Sequence, residues 1–171
     1  PLTYLSAAYM QRKAAFPVVF DLSSNWLRPF LRLNNAVIKP HEDNEIRVDG
    51  ESRLSRIDLK SGAYPGVSIL ETTPDWSAYK TLRIVVHSKL SQPFELVLRI
   101  HDDQHDYAYT DRFNKAMTIN KGTNYFYIPL EDIKNSPANR EMNMMQIREM
   151  TFFSAQYFDE LYFYLGAVRL E

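Results

Sequence analysis

The sequence predicts an all-β protein, an antiparallel β-sandwich with a short helix at its N-terminus. From about residue 50 onward, apolar residues recur with a period of two, which is typical of half-buried strands. The segments between these runs carry turn chemistry, as at Ser61-Gly62 and Lys121-Gly122. Helical patterns are few and short. Many short strands separated by turns favour a sandwich over a fold of alternating strands and helices.

The predicted elements begin with a helix. Leu2, Leu5 and Tyr9 lie at helical spacing within residues 1–16, and Pro17 ends the pattern. We therefore divide the chain into a helical lead-in, residues 1–16, and a single β-sandwich domain, residues 17–171.

Within the sandwich domain, Val18–Phe20 are predicted to form a first strand. Residues 21–49 are predicted to be irregular, with Trp26, Phe30 and Leu31 as apolar anchors. Short helical turns are expected in residues 131–136 and 143–150. Eight further runs have strand character: 53–59, 67–71, 82–88, 94–101, 107–113, 124–130, 150–155 and 161–170.

Composition excludes several classes of function. The formal net charge is -1, so the chain lacks the positive charge that grips phosphate backbones, and we expect no nucleic-acid partner. Cysteine is absent, which excludes disulfides and thiolate metal sites. No apolar run reaches about 18 residues, so no membrane span is predicted. Because the chain opens at Pro1 without Met, we expect it to be a piece of a longer protein.

Alternation along the strands predicts two different faces. In residues 94–101, Leu96 and Leu98 fall on one face, while Arg99 and His101 fall on the other. In the same way, Tyr127 lies on the face opposite the apolar residues of its strand. The second face is rich in Tyr, His and Arg, which makes it the natural place for a ligand.

The stretch HDDQHDYAYTDRFN, residues 101–114, admits several interpretations. His101 and His105 have the i, i+4 spacing of a zinc site, with Asp102 beside them. That motif needs a helix to aim both imidazoles, whereas the segments on either side have the period of two that is typical of strands. Asp102 could pair with Asp103 or Asp106 for acid–base catalysis. Adjacent strand residues point to opposite faces, however, and turn acids usually bond their own backbone. We therefore predict no metal site and no enzyme.

The remaining interpretation is a hairpin with a polar tip. One register would put Asp111 on the core face and bury its charge. The register that pairs Asp102 with Ala108 instead sets Arg99 opposite Asp111 on the outer face, near Tyr109, and we prefer it. Arg140 is expected to reach a loop carboxylate as a structural latch. The predicted ligand site comprises Arg99, His101, Asp103, His105, Tyr109, Asp111, Arg112 and Tyr127.

Five segments carry a resemblance to a known group. They are PDWSAYKTL (74–82), LRIHDDQHDYAYTDRF (98–113), KGTNYFYIPLEDI (121–133), NREMNMMQI (139–147) and FYLGAVRL (163–170). Together they resemble the jelly-roll modules of the galactose-binding-like group, which includes carbohydrate-binding modules. The order of these motifs is most similar to the extramembrane C-terminal domain of VanZ-like bacterial membrane proteins.

The resemblance implies a jelly roll that binds a glycan or another cell-envelope polysaccharide without catalysing a reaction. It also implies an extracytoplasmic location, a tether to the bacterial membrane, and contact with the membrane domain of the parent chain. Such modules often hold a structural calcium with an acid in the last strand. This sequence has Gly166 there, which argues against the ion, and we predict no cofactor. The alternative function is a structural or protein-interaction domain with no sugar ligand.

Overall fold

The computed structural model describes residues 2–39, 46, 48, 50, 51, 53–72, 75–156, 158 and 160–171. Over these residues two antiparallel sheets form, preceded by one helix. The helices are α1 (Leu2–Ala15) and α2 (Leu130–Lys134), with 3-10 turns at Asn25–Phe30 and Tyr109–Asp111. The strands are β1 (Val18–Phe20), β2 (Leu31–Asn34), β3 (Ala36–Lys39), β4 (Ser55–Lys60), β5 (Gly66–Leu70), β6 (Thr81–Ser88), β7 (Phe94–Asp102), β8 (Phe113–Ile119), β9 (Gly122–Pro129), β10 (Ile147–Phe153), β11 (Glu160–Leu165) and β12 (Val168–Leu170).

The two sheets have different sizes. The larger one follows the path β1-β12-β6-β11-β4-β3, and β9 pairs with the other edge of β6. The smaller one has five strands in the order β2-β5-β10-β7-β8. Its central strand, β10, comes late in the chain and pairs with β5 on one side and β7 on the other.

The core lies between the sheets. Burial alternates along all nine residues of β7, as expected for a strand with one face on a core. Phe20 of the larger sheet packs edge-on against Phe152 of the smaller, with ring centroids 5.5 Å apart. Phe94 and Phe163 also meet across the sandwich, as a tilted pair with ring centroids 6.2 Å apart. The two apolar faces thus close on each other, and each sheet presents its other face outward.

Helix α1 covers one end of this sandwich. Ala8 is buried in the core cluster, and the Arg12 guanidinium lies over the Phe30 ring, 4.2 Å from its centroid. Arg12 also donates a hydrogen bond to the backbone carbonyl of Glu71. Among the described residues, no helix is long and apolar enough to cross a membrane.

The predicted fold class is confirmed, since the structure is a sandwich of antiparallel sheets with a short N-terminal helix. Three predictions about elements are wrong. Residues 143–150 are not helical, because a tight turn leads into β10 at Ile147. Residues 31–39 are not irregular, because they form the strands β2 and β3. Residues 107–113 are not a strand either, since they lie mostly in a loop with a 3-10 turn. Of the stretch 21–49, residues 40–45, 47 and 49 lie outside the described residues.

The preferred hairpin register is also wrong. Arg99 pairs with Asn114 and not with Asp111, because β8 begins only at Phe113. The connection from β7 to β8 is therefore a loop of ten residues, 103–112, rather than a four-residue tip. The loop is long because Asp111 is held away from the strand by an arginine, as described below.

Candidate functional site

A groove runs over the outer face of the five-stranded sheet. Its volume is about 820 Å³, within the usual range of ligand sites. All five strands contribute to its floor, and two loops raise its sides. The lining residues are Arg32, Leu33, Asn34, Tyr64, Gly66, Ser68, Glu95, Val97, Arg99, Tyr109, Arg112, Asn114, Ala116, Thr151, Phe153 and Ala155.

A row of polar side chains crosses the floor of the groove at right angles to the strands. The register places one residue of each strand directly opposite the next, and we call these five the polar row: Arg32, Ser68, Thr151, Arg99 and Asn114. The Ser68 and Thr151 hydroxyls share a hydrogen bond of 2.7 Å, and Arg99 Nη2 lies 3.3 Å from Thr151 Oγ1. Hydrogen-bonding side chains thus lie along the floor of the groove across the whole width of the sheet.

A buried glutamate fixes two arginines of the polar row. Glu149 Oε1 accepts from Arg32 Nη2 at 2.6 Å, from Arg99 Nη2 at 2.7 Å and from Thr151 Oγ1 at 2.9 Å. His101 Nε2 lies 3.5 Å from its other oxygen. Burial alone would raise the pKa of Glu149, but the contacts to His101 and Thr151 and the two arginine charges outweigh it and lower that pKa. Glu149 is therefore a charged anchor that sets the direction of both guanidinium groups.

Aromatic side chains stand on the two sides of the groove. Tyr64 and Tyr109 are 65% and 68% exposed, unusually high values for tyrosines. Tyr64 packs edge-on against Phe153, with centroids 5.9 Å apart, and the Arg112 guanidinium stacks on Tyr109 at 5.0 Å. Exposed rings beside a row of hydrogen-bonding groups suit a flat ligand with one apolar face and polar edges.

The floor stays open because β5 begins with Gly66. A Cβ atom there would lie 2.3 Å from the backbone carbonyl oxygen of Phe152 and 2.6 Å from the Cβ of Phe153. No side chain can be accommodated at this position without moving β10. Gly66 therefore permits the close approach of β5 and β10 on which the polar row depends.

The predicted hairpin tip is a structural latch built on Arg140. Its Nη1 and Nη2 bind both oxygens of Asp102 at 2.6 and 2.8 Å, while its Nε and Nη2 bind both oxygens of Asp111 at 2.7 and 2.8 Å. The backbone N–H of Asn143 also donates to Asp102 at 2.6 Å. We had predicted that Arg140 would reach a loop carboxylate, and these contacts confirm it.

The latch changes the acid–base behaviour of its members. Hydrogen bonds from Arg140 are the main reason that the pKa of Asp111 falls to about 2. For Asp102, burial raises the pKa, but Arg140 and the N–H of Asn143 outweigh burial, so the pKa is lowered. Both acids are therefore charged at neutral pH and bound on both oxygens, which leaves little capacity to contact a ligand.

The structure separates the eight predicted site residues into four groups. Arg99, Tyr109 and Arg112 line the groove, and His101 lies beside it against Glu149. Asp111 and His105 belong to the latch loop, where His105 Nδ1 lies 2.9 Å from the carbonyl oxygen of Asp111. The remaining two lie elsewhere: Asp103 is exposed in the loop, and Tyr127 is on the other sheet.

Two of these placements correct the prediction. Tyr127 lies on β9 of the seven-stranded sheet, so it cannot share a surface with Arg99. Asp111 contacts Arg140 rather than Arg99, because the loop turns it away from β7. Sequence reasoning also missed most of the groove, since it gave no order of strands. The polar and aromatic lining residues that it missed are Arg32, Asn34, Tyr64, Ser68, Glu95, Asn114, Thr151 and Phe153.

One cluster among the described residues has the spacing of a cation site. His105, Asp106 and Asp111 each offer an atom within 4.8 Å of the others. Arg140 already binds both oxygens of Asp111, and the Asp106 carboxylate accepts from the backbone N–H of Ala108 at 2.8 Å. The second contact is the local turn bonding expected for loop acids. These internal contacts account for the cluster.

The resemblance implies a calcium-binding acid at the position of Gly166. In this chain the side chain of Glu51 occupies the space beside that glycine. A Cβ atom on Gly166 would lie 3.1 Å from Oε2 of Glu51. Glu51 has no exposed side-chain surface, binds Arg83 and lies 3.5 Å from Arg169. Guanidinium groups thus balance the carboxylate at this position.

The fold has clear relatives among solved structures. No protein-family model and no curated protein matches the sequence. An exo-β-agarase superposes with a TM-score of 0.70 at 14% identity, over 90% of this chain and 24% of the agarase. A family 11 carbohydrate-binding module of Clostridium thermocellum, in complex with a β-1,3-1,4-mixed-linked tetrasaccharide, superposes with a TM-score of 0.58 at 13% identity. That match covers 82% of both chains.

The chain has the fold of a carbohydrate-binding module. A family 29 carbohydrate-binding module supports this with a TM-score of 0.57 at 9% identity, over 90% of this chain and 89% of the module. The chain spans only about a quarter of the agarase that it matches, so it corresponds to one part of that enzyme. At these identities the likeness shows the fold, and the function has to be argued from the groove itself.

Proposed function

We propose that this chain is a non-catalytic carbohydrate-binding module that holds a glycan in the groove of the five-stranded sheet. The observation that carries the proposal is the polar row flanked by the exposed rings of Tyr64 and Tyr109. A sugar ring has an apolar face that packs on an aromatic ring and hydroxyl edges that need donors and acceptors. The groove provides both along one surface.

The alternative, a protein-interaction domain without a sugar ligand, predicts a flat apolar patch in place of a groove. The outer face of the five-stranded sheet instead carries a groove lined by Tyr and Arg. Glu and Asn line this groove where we expected Asp. The match to two carbohydrate-binding modules covers more than four-fifths of each module's own length, which supports a binding role for a domain of this size. Location outside the cytoplasm, in a membrane-tethered envelope protein, remains a proposal supported by the sequence resemblance alone.

The test is binding of soluble polysaccharides by affinity gel electrophoresis and titration calorimetry. The panel contains mixed-linkage β-glucan, agarose, pectins, and bacterial cell-wall polysaccharide. Tyr64→Ala and Tyr109→Ala should each weaken binding of the retained glycan several-fold, up to about tenfold, since stacking on one ring contributes about 0.5–1.5 kcal/mol.

Tyr127→Ala is the matched control, because Tyr127 is 57% exposed but lies on the other sheet. It should leave binding unchanged. Loss of binding in Tyr127→Ala with retention in the other two variants would move the site to the seven-stranded sheet. If folded protein retains no glycan of the panel, the proposed function is wrong.

A further inference from the structure

The charges of the groove are unevenly distributed. Three arginines line it, Arg32, Arg99 and Arg112, and the single buried anchor Glu149 binds only the first two. Glu95, the other acid of the lining, precedes Arg99 by four residues on β7, about 13 Å along the strand. The groove therefore has a positive end at Arg99 and Arg112, and an acidic end at Glu95.

Arg112 lacks an acidic partner among the described residues. No described carboxylate forms an ion pair with it, although it is half-buried at the end of the loop 103–112. Its Nε is buried without a hydrogen-bond partner, and the same holds for Nε of Arg99 within the described part of the chain. Burial lowers the pKa of Arg112, and the charge of Arg99 lowers it further. Arg99 and Arg112 are thus near enough for their charges to interact, and Glu149, the carboxylate that contacts Arg99, forms no described contact with Arg112.

Such an arrangement favours an anion. A half-buried cation that lacks a counter-charge destabilises the free protein, and an anionic group supplied by a ligand would remove that penalty. Guanidinium groups bind carboxylate and sulfate oxygens through paired, charge-assisted hydrogen bonds. Stacking on Tyr109 restricts the Arg112 guanidinium to one plane beside the groove.

From this geometry we infer that the groove recognises an acidic glycan, with a sugar carboxylate or sulfate ester bound between Arg99 and Arg112. The inference rests on the proposed function and adds the chemical class of its ligand. The rest of the sugar chain lies over the polar row.

The experiment compares polysaccharides that share a backbone and differ in charge. Polygalacturonate is set against its fully methyl-esterified form, and a sulfated galactan against its chemically desulfated form. These two pairs distinguish a carboxylate from a sulfate ester. For wild-type protein we expect at least tenfold tighter binding to the acidic member of one pair at low salt. The preference should shrink several-fold between about 0.05 and 0.5 M NaCl, because salt screens charged contacts.

Arg112→Gln should remove this preference, because it should weaken binding of the acidic member at least tenfold more than binding of the neutral member. Arg112→Lys should restore only part of it, because an ammonium group lacks the planar pair of donors. Lys115→Gln is the matched control: it removes the same charge three residues further on, from an exposed side chain outside the groove lining. It should behave as wild type.

The outcomes separate the two proposals. Suppose that wild-type protein binds both members of each pair equally and that Tyr109→Ala loses this binding. The acidic-glycan inference would then be overturned, and the carbohydrate-binding function would stand. An acidic preference that survives in Arg112→Gln and falls in Lys115→Gln would also overturn it, since the charge would then act from outside the groove. Failure to bind any polysaccharide would overturn both.

Discussion

Arg140 binds two carboxylates at once and joins three parts of the chain. Asp102 ends β7, Asp111 precedes β8, and Arg140 itself lies in the segment before β10. The Asp102 carboxylate is fully buried, so its charge depends on this guanidinium. The latch therefore holds the ten-residue loop in place, and with it Tyr109 and Arg112 at the side of the groove.

Asp111→Ala should destabilise the protein by about 1.5–3 kcal/mol, the usual contribution of hydrogen bonds to a charged group. The measurement is urea unfolding at pH 7. Asp103→Ala, a change at an exposed acid of the same loop, should stay within about 0.5 kcal/mol of wild type. If Asp111→Ala is as stable as wild type but loses glycan binding, then Asp111 contacts the ligand, as the sequence first suggested, and is no part of a latch.

The sequence predicts a residue's face correctly where that face depends only on the alternation along its own strand. Alternation along β7 put Arg99 and His101 on the outer face, and both lie there. Asp111 was misplaced because its position depends on Arg140, 29 residues away, and no local pattern reports that contact. Tyr127 was correctly predicted to be exposed, but exposure does not tell which sheet a strand joins.

At the scale of elements, β5 and β10 control the floor of the groove. Their separation is set by Gly66, where a methyl group would overlap the Phe152 carbonyl. Gly66→Ala should destabilise the fold by about 1–3 kcal/mol, the usual cost of overpacking, as measured by thermal or urea unfolding. It should also weaken glycan binding, because β10 carries Thr151 and Phe153.

Ala116→Ser is the control for Gly66→Ala. It adds one atom in the same row of the sheet, at the exposed edge strand β8, and should change stability by less than about 0.5 kcal/mol. Equal stability of Gly66→Ala and wild type would show that the two strands can separate without cost.

The strands that sequence predicted and those that it missed differ in a simple way. Strands β7 and β9 have an unbroken period of two, β6 departs from it only at Val85, and all three were predicted within two residues of their ends. β2 and β3 have four residues each, end in a polar residue and lie at sheet edges. Edge strands bury little apolar surface, so their periodicity is weak.

The order of strands in the five-stranded sheet lay beyond sequence reasoning. The start of β8 lies 79 positions after the end of β2 in the chain, yet the two strands form opposite sides of one groove. The candidate site could be predicted only where it lies on a single strand and its loop, at Arg99, Tyr109 and Arg112. The remaining lining residues come together through pairings that no local pattern encodes.

At the scale of the whole molecule, carboxylates with lowered pKa values govern the response to acid, and three of them belong to the groove and the latch. The pKa values of Asp102, Asp111 and Glu149 are all lowered, to about 2 for Asp111. In the unfolded chain these groups titrate near 4. As the pH falls below about 5, the unfolded state takes up protons before the folded state does, so stability is lost toward pH 2.

We expect the melting temperature to be nearly constant from pH 7 to pH 5 and to fall steadily from pH 4 to pH 2.5. Asp111→Asn should melt lower at pH 7 but lose less between pH 4 and pH 2.5, because one of these titrating groups is gone. Differential scanning calorimetry measures both slopes. Parallel curves for the variant and wild type would contradict a lowered pKa at Asp111.

The position of β10 in the sheet has a consequence for how the protein is made. As the chain leaves the ribosome, β2 can pair with β5 and β7 with β8, but these two pairs remain separate until residues 147–153 emerge and join them. Until then, β5 and β7 each present an unpaired edge, and β7 also presents its apolar face. Nascent chains that stop before residue 147 should therefore depend on chaperones to stay free of aggregation. Chains that include β10 and also β11 and β12, the strands that join the larger sheet, should not.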